Sequence, residues 1–547
     1  MIALHPGVSR AARGPLPAGA AALPSARRAN WPLFLAFNGL LLALLGVGIG
    51  THPQQLATLA VYVQLLGLLC SLPLCWSASL RGPMALLLLL QGVLFVHFGL
   101  RDVIGLLAGF PFPARPHGLF SGGEIAALLT ALSVLLGYAL VTALAPGRNA
   151  TTLASDWTPS GVRWLGIACW LIGFVINAQH LFTVADLQTG IVDDNPFAGV
   201  LSLLRFLQPV GSALLVYQVV ARRDRAMLPV LVLSFALDIV LGYLGDSKEV
   251  AFRGVFLLLI GHLLLRDRIP LVRGLVLVVL AGASFSYFAA WRDTLAMTGT
   301  TRVEAVRDLD SILGGIAEEM SPAERVTRGL DYFTERMSLK GNLDLIVART
   351  GDTVAFQEGS TLVGVFYTFL PRYLFPDKPD TSTGRLFNAQ FGVSSVATTY
   401  ISQGINGELY WNFGWTGLIL GMVAVGALLA HVNHVLDLGL RTNAPRFLFL
   451  IVTAYLLCVR FEGNVSTEYT YWLRALALLA LLHLAMPKLR AVLAPQQDSA
   501  TGPGAASPLR VRWVPLQSNV DLPSARGDVP SARVDVPSAR GEEPATP

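Results

Sequence analysis

Residues 31–50 read Trp-Pro-Leu-Phe-Leu-Ala-Phe-Asn-Gly-Leu-Leu-Leu-Ala-Leu-Leu-Gly-Val-Gly-Ile-Gly, and no side chain among these twenty is charged. A helix of that length just crosses the hydrocarbon core of a bilayer, about 30 Å at ~1.5 Å per residue. Similar apolar runs recur at Leu119–Ala145 and Phe413–Val435. Lipid cannot hydrogen-bond a peptide group, so only helices or closed barrels cross it. The runs lack the alternation of apolar and polar residues that a barrel strand needs, so they predict helices. Composition agrees across the 547 residues, which are 53% hydrophobic and 14% charged, with a mean hydropathy of +0.57. A soluble domain carries roughly a quarter charged residues.

The pattern predicts about twelve spans, near 31–50, 55–75, 83–100, 121–145, 163–183, 198–220, 227–245, 250–266, 272–291, 413–435, 446–461 and 468–486. Charge orients them. With the Arg-bearing N-terminal tail inside, the inner loops hold Arg81, Arg148, Arg222, Arg223, Arg225, Arg266, Arg268, Arg273, Arg441 and Arg446, and Lys488 and Arg490 come after the last span. The outer loop Ala185–Phe197 holds Asp186, Asp193 and Asp194 and no basic residue. Lys and Arg gather on the cytoplasmic side of membrane proteins, so both tails are expected there. The same rule accounts for the net charge of +5 and the pI of 9.1. No basic stripe interleaved with aromatics points to nucleic acid.

The chain divides into five regions. Residues 1–30 and 487–547 read as disordered tails, the second ending in a repeat at Leu522-Pro-Ser-Ala-Arg, Val529-Pro-Ser-Ala-Arg and Val536-Pro-Ser-Ala-Arg, with too little apolar surface to fold. Residues 31–291 hold nine spans and residues 413–486 the last three. Between them, 292–412 is far more polar and falls outside the membrane. There Ser321-Pro-Ala-Glu324 reads as a capping box with Pro at the first helical position, followed by Val326, Leu330, Phe333 and Met337 at helical spacing. An earlier helix is expected around Val306–Ile316. Thr361–Phe375 is apolar but too short to span, and reads as an interfacial or re-entrant segment.

Cations on the outer side are the ones that topology does not explain: Arg101, Arg115, Lys248, Arg253, Arg292 and Arg460, with Arg205 deeper. Arg372, Lys378 and Arg385 crowd into Pro371–Pro379 and its continuation. A charge at membrane depth is costly and usually faces a cavity or a partner. Cations at the headgroup level suit a phosphate or diphosphate, though each alone also fits snorkelling to lipid headgroups. Asp238 is a candidate partner for Arg205. Cys70, Cys75, Cys169 and Cys458 all lie in apolar segments, without metal-ligand spacing. Motifs of zinc proteases, Walker ATPases and serine hydrolases are absent from the sequence.

Two stretches carry a family likeness. Pro371-Arg-Tyr-Leu-Phe-Pro-Asp-Lys-Pro379, then Gly407-Glu-Leu-Tyr-Trp-Asn-Phe-Gly-Trp-Thr-Gly417 at the start of a span, resemble the oligosaccharide repeat-unit polymerases, the O-antigen polymerase-like group. The resemblance spans roughly 31–490 and implies a GT-C-like membrane glycosyltransferase of the bacterial inner membrane, needing neither cofactor nor metal. It implies polymerisation of repeat units carried on undecaprenyl diphosphate, at the periplasmic face, alongside a flippase and a chain-length regulator. The leaving diphosphate needs cationic donors; Arg372, Lys378, Arg385, Lys248 and Arg253 are the candidates. Attack by a hydroxyl needs a general base, and Glu408 is the first choice, with Asp377 and Glu249 behind it. Tyr410, Trp411 and Trp415 are candidates to stack on a sugar, although aromatics at an interface are commonly anchors. A ligase acting on the same carrier shares these features. A transporter or flippase is the alternative of a different class; it predicts internal repeats and interrupted helices converging at the midplane, whereas the sequence shows no repeat over the membrane core and its unusual charges fall at one face.

Overall fold

The computed structural model describes residues 30–51, 57–76, 85–108, 120–144, 157–184, 198–244, 247–265, 322–367, 369–370, 374–375, 383–394, 400–436 and 443–493. Residues 1–29 and 494–547, the 272–291 span and the helix expected around 306–316 lie outside them, while residues 487–493, expected as the start of a disordered tail, are helical as the end of the last helix. The described part is helical throughout, its one β-type contact being an isolated bridge between Thr350 and Val354.

In chain order the helices are α1 Trp31–Thr51, α2 Ala57–Ser71, α3 Ala85–Ala108, α4 Gly122–Leu144, α5 Pro159–Val184, α6 Ala198–Arg205, α7 Leu207–Val220, α8 Leu228–Leu244, α9 Lys248–Leu265, α10 Pro322–Met337, α11 Lys340–Arg349, α12 Gly384–Phe391, α13 Gly404–Leu436, α14 Ala444–Val459 and α15 Val465–Leu493. Among the described residues nine stretches are long and apolar enough to cross a membrane: the sequence of α1, α2 with its extension to Cys75, α3, α4, α5, Leu203–Val220, Arg225–Leu244, α13 and α15. The chain is a polytopic, all-helical membrane protein. The spans expected at 250–266 and 446–461 are helices too, but differ from the other nine. α9 carries Lys248, Glu249 and Arg253 in its first turns, and α14 reaches only about 24 Å at ~1.5 Å per residue.

Outward faces are apolar, as lipid requires: Leu42, Leu136, Val232 and Leu484 are all more than half exposed. The interior depends on close approach. A Cβ on Gly137 would strike the backbone of Val423, and one on Gly426 the backbone of Val134. The α4–α13 crossing therefore brings two backbones into contact, as small residues allow in membranes.

Two departures from regular helix shape one end of the bundle. The sequence places the last large span from 413, whereas α13 begins at Gly404 and breaks at Phe413–Gly414, where Gly414 has φ 63° and ψ −149°. Only glycine adopts that conformation readily. The two arms, 404–412 and 415–436, fold back on each other: a Cβ at Gly421 would touch the Leu409 side chain. In a straight helix those residues would stand about 18 Å apart. The second departure is a π-helical turn in each of two helices, Val96–Leu100 in α3 and Ala454–Val459 in α14. The first packs just past the end of the second, Phe98 and His97 both contacting Phe461 at ring separations of 6.4 and 6.3 Å.

Candidate functional site

The loop 460–464, between α14 and α15, is where these irregular elements converge. Its Phe461 carbonyl accepts the Ile405 amide at 3.2 Å, fixing the start of α13. Arg460 contacts Glu249 of α9 through Nη1 at 2.7 Å and Glu468 of α15 through Nε at 2.8 Å and Nη2 at 3.0 Å. Its guanidinium lies 5.0 Å over the Tyr471 ring. Tyr455, on the π-turn, donates its hydroxyl to Glu249 at 2.6 Å. Glu408, fully buried in the short arm of α13, accepts the Val465 amide at the N-terminus of α15, while its Oε1 has no hydrogen-bond partner. A carboxylate suits a helix N-terminus because it meets unsatisfied N–H groups and the positive end of the helix dipole.

Asn412 ties the hinge to the segment at Gly359–Thr361. Its amide nitrogen donates to Thr361 at 2.7 Å, and its oxygen accepts the Gly359 amide at 2.8 Å. Ser466 of α15 donates to the Thr361 carbonyl. Thr361 lies at the start of a 3₁₀ helix, Ser360–Tyr367, in which Phe366 is exposed, as are Phe369, Leu374 and Phe375 beyond it. That suits the interfacial position expected for 361–375.

A second charge cluster holds α11 onto the bundle. Lys340 reaches Asp102 at 2.8 Å and Glu124 at 2.9 Å, and lies 5.1 Å over the Tyr62 ring. Glu124 also closes a capping box, accepting the Ser121 amide at 3.0 Å while Ser121 Oγ accepts the Glu124 amide. Asp344 accepts the Gly123 amide at 2.8 Å. Pro322–Met337 forms the helix that the Ser321–Glu324 motif predicts, and its Asp331 and Glu335 lie 3.8 Å from Arg101.

The expected site residues are distributed unevenly. Arg372, Lys378 and Asp377 lie outside the described residues, as does the Lys248 side chain. Arg253 is buried, with Nε 3.8 Å from Asp238. Asp238 therefore faces Arg253 rather than Arg205, and also accepts from Gln208 and Trp170. Trp411 is fully buried under Phe387 and Phe391, at 5.9 and 5.5 Å, and Tyr410 is buried edge-on to Trp415. Neither ring offers an open face to a sugar in this arrangement. Arg385 differs from the other cations. It is half-buried, stacks 4.4 Å over Tyr400, and has no carboxylate partner among the described residues. Arg446, read as a topology charge, is 4% exposed at the start of α14.

In the sequence Arg460 is only one outer cation among many, and Glu468 and Lys340 do not stand out at all. Their partners lie 8 to 238 residues away, and only the Ser121-x-x-Glu124 spacing is visible locally. Fold and site together define the class, a polytopic helical membrane protein with ionic clusters where its spans meet the helices of residues 322–349. No protein-family model, curated protein or solved structure matches the chain.

Proposed function

We propose that the chain is a membrane glycosyltransferase of the repeat-unit polymerase type, built on a GT-C-like bundle of about twelve spans. It would join oligosaccharide units carried on undecaprenyl diphosphate at the outer face of the bacterial inner membrane. One observation carries the reading. α12, which begins five residues after the first of the two stretches that resemble the family, packs Phe387 and Phe391 on Trp411 of the second.

Beside that junction Arg385 has a buried Nε with no hydrogen-bond partner. In this reading it meets the diphosphate, with Arg372 and Lys378 from the neighbouring 371–379 stretch, because a phosphoryl anion suits an unpaired guanidinium. Glu408 acts as general base through its unpartnered Oε1, which is free to accept a hydroxyl proton while Oε2 stays on the Val465 amide. Trp411 then serves as the packing post for α12 rather than as a sugar platform.

The test is glycan chain growth in cells carrying Arg385→Ala, Arg372→Ala or Glu408→Gln. Each variant is expected to stop chain growth at normal protein level. Normal polymer length in all three removes the assignment. Product analysis separates the ligase: loss of a polymerase leaves single repeat units, loss of a ligase leaves carrier-linked long chains.

A second reading has its own observation. The break at Phe413–Gly414 makes α13 a discontinuous helix next to buried charges, an arrangement that transporters use at their binding sites. Vesicles reconstituted with the pure chain that move a lipid-linked oligosaccharide without elongating it would favour this reading.

A further inference from the structure

Glu408 lies on the short arm of α13 with its Oε2 on the Val465 amide, and the Ser466 amide also donates to its carboxylate. Both donors belong to the first turn of α15, where backbone N–H groups have no partner within the helix. The other side of the carboxylate is met by Thr361. That residue comes from a distant part of the chain, in the 3₁₀ helix Ser360–Tyr367, and its carbonyl accepts Ser466 Oγ of α15.

The direction of each hydrogen bond here is set by groups that have no choice. A backbone amide only donates and a backbone carbonyl only accepts. Asn412 faces one of each: its oxygen lies 2.8 Å from the Gly359 amide, and its nitrogen 2.8 Å from the Glu408 carbonyl. The usual ambiguity between the two ends of an amide side chain is thereby removed. The same nitrogen donates to Thr361 Oγ1 at 2.7 Å, so the hydroxyl accepts from Asn412 and keeps its own proton to donate. The acceptor it meets is the Glu408 carboxylate. A hydroxyl donating to an ionised carboxylate makes one of the stronger kinds of hydrogen bond. Thr361 is 5% exposed, Asn412 1% and Glu408 fully buried, so bulk water does not compete for these bonds.

The backbone leading to Thr361 is tied to the same short arm. The Gln357 and Glu358 amides donate to the Trp411 and Asn412 carbonyls, at 3.1 and 3.3 Å. The hydroxyl is thus delivered by a segment bonded to both helices, the one that carries Glu408 and the one that supplies its amide donors.

Resting on the glycan reading above, we propose that Thr361 is a positioning residue for Glu408, its hydroxyl fixing which carboxylate oxygen is left to act as base. The segment that Thr361 opens also carries the exposed Phe366. The same piece of chain therefore sets the base and presents an apolar surface. Pre-organisation of this kind is what holds a reacting group in productive geometry.

The test uses the full chain in lipid nanodiscs, isotope-labelled at its glutamate carboxyl carbons and read by solid-state NMR. The resonance lost in Glu408→Gln identifies Glu408. Thr361→Val keeps the shape and removes the hydroxyl, and is expected to move that resonance. Thr361→Ser keeps the hydroxyl and should bring it back. Where circular dichroism shows that Val disturbs the helices, Thr361→Ala gives the same comparison. In cells, glycan chain growth should fall by up to about 100-fold in Thr361→Val, the cost of an ångström-scale misplacement, and recover in Thr361→Ser. A resonance unmoved by loss of the hydroxyl, or moved equally by Ser, overturns the proposal. So does full chain growth in Thr361→Val when Glu408→Gln abolishes it. Chain growth that survives Glu408→Gln sinks the glycan reading instead, and leaves the resonance result standing.

Discussion

Arg460 and Arg385 belong to the same side chain type and the same predicted outer face, yet their surroundings differ completely. Arg460 is enclosed by two carboxylates and two tyrosines drawn from three helices. Arg385 rests on one aromatic ring, half-buried, with no carboxylate beside it among the described residues. The first ties three helices together; the second makes no ionic tie among the described residues. An excess of outer cations is therefore a poor guide to a ligand site until each cation is matched to its partners. Arg101, Arg253, Lys340 and Arg460 are all matched by acids.

Substitutions can break that contrast. Arg460→Ala leaves the buried Glu468 without its cation and facing the partly exposed Glu249, and removing one partner of a buried ion pair costs about 3–5 kcal/mol. The expected result is a collapse of the thermal unfolding midpoint in detergent, with Arg460→Lys retaining part of it. Lys340→Ala strips the cation from Asp102 and Glu124, both buried, at a cost in the same range of roughly 3–5 kcal/mol. The loss should be local, with α10 and α11 released to protease before the spans melt. Asn412→Ala removes hydrogen bonds at the hinge and should cost about 1–3 kcal/mol, read as faster hydrogen exchange at Gly359 and Thr361. Arg385→Ala should be the mildest, below about 1 kcal/mol, with an unchanged melt. A large melting shift in Arg385→Ala, or none in Arg460→Ala, would erase the distinction.

Hydrophobic runs make most of the spanning helices legible, because lipid enforces a single solution on any long apolar segment. The Pro322–Met337 helix is legible for the same kind of local reason, a cap and a spacing. Direction and pairing stay hidden. Hydropathy registers only the long arm, since the short one carries Asn406, Glu408 and Asn412, and the one available signal of the reversal is a glycine beside two aromatics. Lys340 needs Asp102 and Glu124, which are more than 200 residues upstream, and Arg460 needs Glu249 from another helix. Trp411 looks like a sugar platform because it lies beside Tyr410, but only the placement of α12 reveals that Phe387 and Phe391 cover it.

The π-turn Ala454–Val459 amounts to one residue inserted into an otherwise ordinary helix. Everything after it is rotated by about 100° from where an uninterrupted α-helix, at 3.6 residues per turn, would place it. Shortening α14 by a single apolar residue in that turn should swing residue 460 out of the space between Glu249 and Glu468 without touching any charge. The local winding of a backbone, more than the identity of the side chains, is then what selects which carboxylates an arginine can reach.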